Sequence, residues 1–323
     1  MTSGFWQKLP RPIYALAPMA NVTDCAFRRI IAKYGKPDVM FTEFTSCDGL
    51  QSPGREKIMI DLKFTDAERP IVAQIFGSKP DNFYKTALLC QELGFDGIDI
   101  NMGCPDRNVE KQCAGAAMMK NPKLAQECIL ATKRGAGKLP ISVKTRIGFN
   151  KNELNTWLPH LLESDLAAIT IHARTRKEMS KVPAHWEEIT RAVQIRNKYD
   201  SSNKKTLILG NGDVKDLIDA KEKINQTGCD GAMIGKGIFG NPWLFIGRTP
   251  TVNEKLRVMV EHTYLFEKLL GDKKNFDIMK KHYKAYINGF DGAKELRVKL
   301  MGEAKDAAKV ENIIQQYLKT RNT

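Results

Sequence analysis

Two cysteines raise the first chemical question, because they lie nine positions apart in the segment NMGCPDRNVEKQC at 101–113. Cys104 directly precedes a proline, and Cys113 directly precedes the small-residue run AGAA. A free cysteine usually packs as a small apolar side chain. A thiol is also still mostly protonated at neutral pH and can act as an acid there, which a carboxylate cannot. The segment alone leaves both interpretations open.

Polar side chains also occur where apolar, strand-like runs end. They are Gln74, Asn101, Lys144, Arg146, His172, Arg174 and Arg176, with the run NGD at 211–213 and the run GKG at 235–237. Each residue alone is as consistent with a capped strand end as with function. A buried cation is costly unless it has a partner, however, and the shared position of these residues at strand ends indicates a binding site.

Glycine-containing turns follow the last two apolar runs, at Gly212 and at Gly235 and Gly237. Loops at this place in a parallel barrel commonly present backbone N–H groups to a phosphate. Glycine lets the main chain approach a ligand closely, and Lys236 can add a charge-assisted contact. The alternative is that these glycines only make tight turns.

Eight apolar runs that alternate with helical segments must position these residues. We interpret them as strands at 13–19, 38–44, 70–77, 95–103, 140–148, 166–175, 205–213 and 229–242. Near-continuous apolar strands are typical of a parallel sheet buried on both faces. The count and the span of roughly 240 residues predict an α/β fold with a closed (β/α)₈ TIM barrel. An open doubly wound sheet is the alternative, but its G-x-G-x-x-G motif should follow an early strand, whereas GKGIFG at 235–240 follows the last.

The last part of the chain has a different pattern. Apolar residues at helical spacing predict four helices within 252–271, 276–290, 293–302 and 307–321, with C-terminal stops at Gly271, Gly289, Gly292 and Gly302. Residues 251–323 hold 15 Lys and Arg against 10 Asp and Glu, a net +5 in 73 residues. We therefore divide the chain into a barrel domain, 1–250, and a small all-helical domain, 251–323.

Composition limits the classes of function. Net charge is 51 − 37 = +14, which suits a polyanionic partner such as nucleic acid, although many basic proteins bind none. No apolar run approaches the ~18 residues of a membrane span, and the N-terminal residues do not form a secretory signal. The seven cysteines are scattered without a C-x-x-C pair. That pattern argues against a zinc site and a disulfide framework and favours the reducing cytoplasm.

The sequence resembles the flavin-dependent tRNA-dihydrouridine synthases through six segments in the same order and spacing. They are APMANVTDCAFR (17–28), NMGCPDRNV (101–109), KTRIG (144–148), HARTR (172–176), NGD (211–213) and IGKGIFGNPW (234–243). The segment HYKAYINGFDGAKELR at 282–297 also resembles the helical RNA-binding domain that ends those proteins. The resemblance runs through nearly the whole chain, and N-x-G-C-P with a distant H-A-R-T-R is its most specific part.

The resemblance implies a set of site residues. FMN would lie at the barrel mouth, with Ala17, Pro18 and Met19 beside its ring, Gln74, Lys144 and His172 at its polar edge, and Asn211, Gly212, Asp213, Gly235 and Lys236 at its phosphate. NADPH would reduce the flavin, which would pass a hydride to C6 of a uridine, in the D-loop of tRNA. Cys104 would protonate C5, and Cys113 would be structural filler. Contacts with the base or a neighbouring phosphate would come from Asn101, Arg146 and Arg174.

The sequence departs from the family pattern at two places. The family form continues after H-x-R-T-R with Gln-Gly-Tyr and a glycine, whereas this chain has KEMSKVPAHW at 177–186, and Lys236 replaces the usual arginine. Two other functions stay open: a small-molecule FMN dehydrogenase of the dihydroorotate type, and an RNA-binding protein that has lost catalysis. The basic helical tail argues against the first, and the presence of Cys104, Lys144 and His172 argues against the second. We expect a monomer without metal or membrane contact.

Overall fold

A parallel barrel surrounded by helices forms the larger part of the computed structural model, which describes residues 4–199 and 206–321. The strands are β1 (Ile13–Leu16), β2 (Met40–Phe41), β3 (Thr45–Ser46), β4 (Ile71–Phe76), β5 (Gly97–Met102), β6 (Ile141–Arg146), β7 (Ala168–His172), β8 (Leu207–Asn211) and β9 (Gly231–Ile234). Their order is β1-β9-β8-β7-β6-β5-β4-β2, with β3 also beside β4, and a bridge between Ala15 and Val39 joins the two ends. The prediction of a (β/α)₈ barrel is confirmed.

Strand register brings the polar strand ends together. Arg146 on β6 is level with His172 on β7, which is level with Asn211 on β8. Two residues deeper in the barrel, Asn101 on β5 is level with Lys144 on β6. The carboxyl ends of parallel strands therefore place these side chains at one end of the barrel, as expected for this fold.

The second barrel strand is interrupted. The sequence predicts one continuous strand at 38–44, but β2 pairs with the start of β4 and β3 pairs with its end. Thr42 still donates its backbone N–H to the carbonyl of Val72 at 3.0 Å, but residues 43–44 leave the ladder. Glu43 lies in this interruption with only 4% of its surface exposed. A continuous strand was the wrong prediction here, and the carboxylate of Glu43 has a specific partner that is described below.

The helices follow the expected alternation. They are α1 (Cys25–Tyr34), α2 (Cys47–Leu50), α3 (Arg55–Ile58), α4 (Pro80–Glu92), α5 (Arg107–Glu110), α6 (Pro122–Ala136), α7 (Leu154–Leu162), α8 (Glu187–Tyr199), α9 (Leu217–Thr227), α10 (Val252–Leu270), α11 (Ile278–Tyr286), α12 (Ala293–Glu303) and α13 (Ala307–Arg321). Two of the four predicted glycine stops are wrong, because Gly292 precedes α12 with a φ of +77° and Gly302 lies inside it. Within the described residues, no helix is long and apolar enough to cross a membrane.

The helical unit, residues 252–321, packs directly on the barrel. Ala26 and Ile30 of α1 belong to the same buried apolar cluster as Leu256 and Met259 of α10. Asp24 caps α1 by accepting a hydrogen bond from the backbone N–H of Phe27 at 2.9 Å, which fixes where this helix starts. Because burial of apolar surface is the main driving force for packing, α1 serves as a structural part of both units.

Two histidines are buried at this junction. The rings of His262 and His282 lie 4.7 Å apart, and the ring of Phe27 lies 5.6 Å from that of His262. Neither ring nitrogen of His262 finds a hydrogen-bond partner among the described residues. Burial lowers the pKa of His262 to about 3 and that of His282 well below its ordinary value. Both side chains are therefore neutral in the folded protein.

We expect His262 to make folding acid-sensitive. Below pH ~6.5 the unfolded chain protonates His262 and the folded chain does not, so the free energy of unfolding falls as pH falls. From pH 6.5 to 5.0 this one residue should lower the free energy of unfolding by about 2 kcal/mol. Asp24 and Asp99 act in the opposite direction, because burial raises the pKa of each carboxyl to about 6.

The measurement is therefore a difference between two proteins. Urea unfolding of the wild type and of His262→Leu, at both pH values, isolates the contribution of this histidine. Between pH 6.5 and 5.0, the free energy of unfolding should fall by about 2 kcal/mol more in the wild type than in the variant. An equal loss in both proteins would show that His262 can be protonated in the folded state.

Candidate active site

A cavity of about 240 Å³ opens at the carboxyl ends of the barrel strands. Its walls come from the strands β6, β7 and β8 and from the segments after β1, β7, β8 and β9. Its lining residues are Ala17, Pro18, Met19, Lys144, His172, Arg174, Ser180, Asn211, Gly212, Asp213, Val214, Gly235 and Lys236. All of the residues predicted to bind the cofactor line it, except Gln74. Arg174, which was predicted to contact substrate, lines the same cavity.

One end of the cavity offers unpaired backbone donors. The amides of Asp213, Gly235 and Lys236 find no acceptor within the described part of the chain. Gly212 has a φ of +123°, and a Cβ there would lie 2.8 Å from the Cβ of Ala184, so only glycine fits this turn. Convergent free amides at a glycine turn are suited to an anion such as a phosphate.

The floor of the cavity carries an unpartnered lysine. Among the described residues, the side chain of Lys144 has no hydrogen-bond or ion-pair partner, and burial, followed by the nearby Arg146, lowers its pKa to about 8. Burial and the surrounding cations also lower the pKa of His172 far below its ordinary value. The Nε2 of His172 lies 3.0 Å from Nη1 of Arg174, and in a neutral ring it accepts that hydrogen bond. The floor is therefore electropositive and suits an electron-rich, hydrogen-bonding ligand.

A buried chain of hydrogen bonds runs beside this floor. The Ser142 hydroxyl donates to Oδ1 of Asp99 at 2.6 Å, and Nε2 of Gln74 donates to its Oδ2 at 2.7 Å. Nδ2 of Asn101 then donates to Oε1 of Gln74 at 3.0 Å. Oδ1 of Asn101 accepts the backbone N–H of Cys104 at 2.9 Å. Because the Asp99 carboxylate only accepts, it fixes the orientation of both amides and through them the Cys104 loop.

These hydrogen bonds change how Gln74, Asn101 and Asp99 are interpreted. Gln74 is fully buried and Asn101 is 6% exposed, so their contacts with flavin or substrate stay predictions. Asp99 was missed by the sequence analysis. The only signal for it was an acid within the buried run GFDGIDI, where an unpaired carboxylate would be costly.

Two buried arginines hold the loops of the mouth. Arg146 donates to the backbone carbonyls of Gly103 at 2.8 Å, Thr175 at 3.2 Å and Met179 at 3.0 Å. Arg174 donates to the carbonyl of Val182 at 2.6 Å and pairs with the carboxylate of Asp213.

These bonds keep the segment 177–186 over the cavity. The roles of Arg146 and Arg174 in base or phosphate contact stay predictions. Arg174 engages the carboxylate of Asp213, so the backbone amide is the group of Asp213 that stays available to a ligand.

Similarity to known proteins shows the family of this chain. The family model "Dihydrouridine synthase (Dus)" matches residues 15–322. The chain belongs to the dihydrouridine synthase family. It is 44% identical over 306 residues, 93% of this chain and 92% of the relative, to the "Probable tRNA-dihydrouridine synthase" of Staphylococcus aureus (strain MRSA252). It is 42% identical over 306 residues, 93% of each chain, to the "Probable tRNA-dihydrouridine synthase 2" of Bacillus subtilis (strain 168).

A solved structure supports the fold of this dihydrouridine synthase family member. Morphinone reductase superposes with a TM-score of 0.54 at 11% identity, over 77% of this chain and 89% of that one. At that identity the likeness shows only the shared barrel. Family membership makes the chain an oxidoreductase, and the cavity at the strand ends is its candidate active site.

Cys104, in the most specific family motif, lies in the loop after β5. It is partly exposed and contacts a small apolar cluster of Phe76, Val109 and Ala114. Burial raises the pKa of its thiol, so the thiol is protonated at neutral pH. Gly115 packs against it: a Cβ at Gly115, where φ is +59°, would lie 2.8 Å from the Cys104 carbonyl oxygen. Gly115 was also missed from the sequence, although AGAA contains it.

Cys113 does not behave as predicted. It is exposed, and its φ of +55° places it in a left-handed turn after α5. The expectation that it fills a close helix contact was wrong, because the chain turns outward here and burial begins only at the following Ala114. Cys113 is therefore a matched, exposed control for Cys104.

The segment 177–186, which departs from the family pattern, is well anchored. The backbone N–H of Ala184 donates to Asp213 at 2.9 Å, and the indole N–H of Trp186 donates to the carbonyl of Gly212 at 2.8 Å. Ser180 lines the cavity, and Met179 is 41% exposed at a φ of +58°. The divergent residues thus form one wall of the candidate site.

The described residues contain no candidate set of metal ligands. Across residues 4–199 and 206–321, no group of three or more His, Cys, Asp or Glu side chains is arranged to hold a metal ion.

Proposed function

We propose that this family member reduces the 5,6 double bond of a uridine in tRNA, with FMN as the bound cofactor, NADPH as the electron donor and Cys104 as the proton donor. The observation that carries the proposal is the position of Cys104. Cys104, with a protonated thiol, lies in the loop after β5, and a continuous hydrogen-bond chain ties its backbone to the barrel floor beside Lys144. A tRNA substrate implies a cytoplasmic location.

The cavity residues fit FMN. Its phosphate matches the unpaired amides of Asp213, Gly235 and Lys236 and the ammonium of Lys236, which together supply neutral and charged donors. Lys144 supplies a donor and a positive charge to the polar edge of the flavin ring. When bound, FMN supplies the hydride that adds to C6 of the uracil, and NADPH supplies the electrons.

Cys104 supplies the second hydrogen. Reduction of the 5,6 double bond adds a hydride at C6 and a proton at C5, and the Cys104 S–H bond breaks as the proton moves to C5. The raised pKa keeps that proton in place at neutral pH until the reaction requires it. Because Cys104 is partly exposed, its thiolate can recover a proton from water.

The helical unit suits the RNA. We propose that 251–323 is the tRNA-binding domain and that 1–250 is the catalytic domain. Exposed lysines on α11 and α12 give the unit a basic surface: Lys281, Lys284, Lys294 and Lys299. Phosphate contacts from such residues supply most of the affinity of a protein for nucleic acid, and they offset the cost of unstacking the target base.

The cofactor assignment is tested on the purified protein. Denaturation should release FMN, identified by chromatography, in a ratio near one per chain. Lys144→Met should weaken flavin retention by about 10- to 100-fold, the worth of one hydrogen bond from a charged group. Lys138→Met is the matched control, because Lys138 is exposed before the opposite end of β6. Stoichiometric FAD, or equal retention in both variants, would contradict the assignment.

A further inference from the structure

The carboxylate of Glu43 connects two distant parts of the molecule. It accepts the backbone N–H of Asn21, in the segment after β1 that also contains Ala17, Pro18 and Met19 of the cavity wall. It also accepts a hydrogen bond from Nζ of Lys274 at 2.6 Å. Lys274 belongs to the helical unit, between α10 and α11. The link therefore joins the cavity wall to the helical unit.

Lys274 is held by a second acid as well. Its Nζ lies 2.7 Å from Oδ1 of Asp61, and only 12% of its side chain is exposed. The carboxyl of Asp24, also buried, adds a third acidic group close to this lysine and to Glu43. The Lys274 ammonium is thus surrounded by barrel carboxylates.

This buried pair is not the only contact that holds the two units together. The apolar cluster shared by α1 and α10 also joins them. A buried ion pair is a weak source of stability, because desolvation offsets most of the attraction, but it has strict geometric requirements. The pair is therefore suited to set the position of the helical unit relative to the cavity.

We propose that Lys274 is a positioning residue, which fixes the helical unit on the cavity wall so that tRNA bound by that unit presents its uridine to Cys104. This inference rests on the proposed function. A small displacement of a reacting group costs a large factor in rate while binding is largely kept. Loss of Lys274 should therefore lower turnover more than affinity.

The test compares Lys274→Met with Lys33→Met. Lys33 pairs with Glu261 across the same two units at 2.7 Å, but its side chain is 58% exposed, so it is a matched control with little expected effect. In Lys274→Met, tRNA affinity and NADPH-driven flavin reduction should stay within about threefold of wild type, and kcat for uridine reduction should fall about 10- to 100-fold. Lys274→Arg should restore part of the lost kcat.

Hydrogen exchange gives a readout that is independent of catalysis. The Asn21 amide, monitored in a peptide covering 17–24, should exchange faster in Lys274→Met than in Lys33→Met. The double variant Lys274→Met, Glu43→Gln removes both charges of the Lys274–Glu43 pair and should keep the turnover defect in a stably folded protein.

Two results would overturn the role. Wild-type turnover and unchanged exchange in Lys274→Met would show that the link positions nothing. A loss of tRNA affinity with normal turnover would assign Lys274 to RNA binding. If wild-type protein reduces no uridine, the proposed function fails, and the exchange measurement still decides whether Lys274 fixes the cavity wall.

Discussion

Replacement of Cys104 by alanine is expected to lower uridine reduction by about 10²–10⁴, the usual worth of a positioned general acid. The substitution removes the proton donor and little packing, because Cys104 lies at the partly exposed edge of its apolar cluster. Flavin reduction by NADPH does not use the thiol and should keep its wild-type rate. Stopped-flow absorbance measures that half-reaction, and mass spectrometry of digested tRNA measures dihydrouridine.

Cys113→Ala is the control for this experiment. Cys113 is exposed nine positions along the same loop, and its substitution should change neither half-reaction. Uridine reduction at the wild-type rate in Cys104→Ala would remove the assigned role. A loss confined to Cys113→Ala would mean that the other thiol is the acid.

The affinity for tRNA is expected to fall about 10³–10⁵-fold between 50 and 200 mM salt if six to ten phosphates are contacted. The physical reason is that a chain with a net charge of +14 releases the counterions condensed on the tRNA phosphates when it binds them. Filter binding or fluorescence anisotropy across that salt range gives the slope of log affinity against log salt.

Substitutions that remove the charge of surface lysines locate the tRNA-binding surface. Lys281→Gln with Lys284→Gln should lower the slope by about one for each phosphate that the protein then leaves unneutralised, whereas Lys138→Gln, outside the helical unit, should leave it unchanged. An affinity that does not respond to salt would contradict electrostatic tRNA binding by the helical unit.

The barrel was predictable from the sequence because its signal is local. Most apolar runs contain one buried strand, and run and strand nearly coincide at 140–148 and β6 (Ile141–Arg146). Parallel strands also bring their carboxyl ends to one edge. That rule alone predicted that Lys144, His172 and Asn211 would meet, and the cavity contains all three.

The features that the sequence analysis could not predict depend on contacts between distant residues. Strand two breaks at Glu43, whose partner Lys274 is 231 positions away, and no local pattern signals that pair. The contact of Arg146 with a base or a phosphate stays a prediction, but its bonds to the carbonyls of Gly103 and Met179 depend on loop positions that only the fold determines.

The boundary between the proposed domains has the same limitation. Helical periodicity locates α10 from Val252 onward, but it does not show that α1 shares an apolar cluster with α10. Removing 251–323 would expose Ala26 and Ile30 to water. Point substitutions on the surface of the helical unit therefore test RNA binding more cleanly than a truncation.

The central claim, reduction of uridine in tRNA through Cys104, is tested most directly by mapping dihydrouridine in tRNA from cells with and without this gene. The tRNA of the deleted strain is then incubated with purified protein and NADPH. We predict that dihydrouridine is missing from at least one tRNA position in the deleted strain, that wild-type protein restores it there, and that Cys104→Ala does not. Identical dihydrouridine maps in the two strains, with no new dihydrouridine after incubation, would contradict the account.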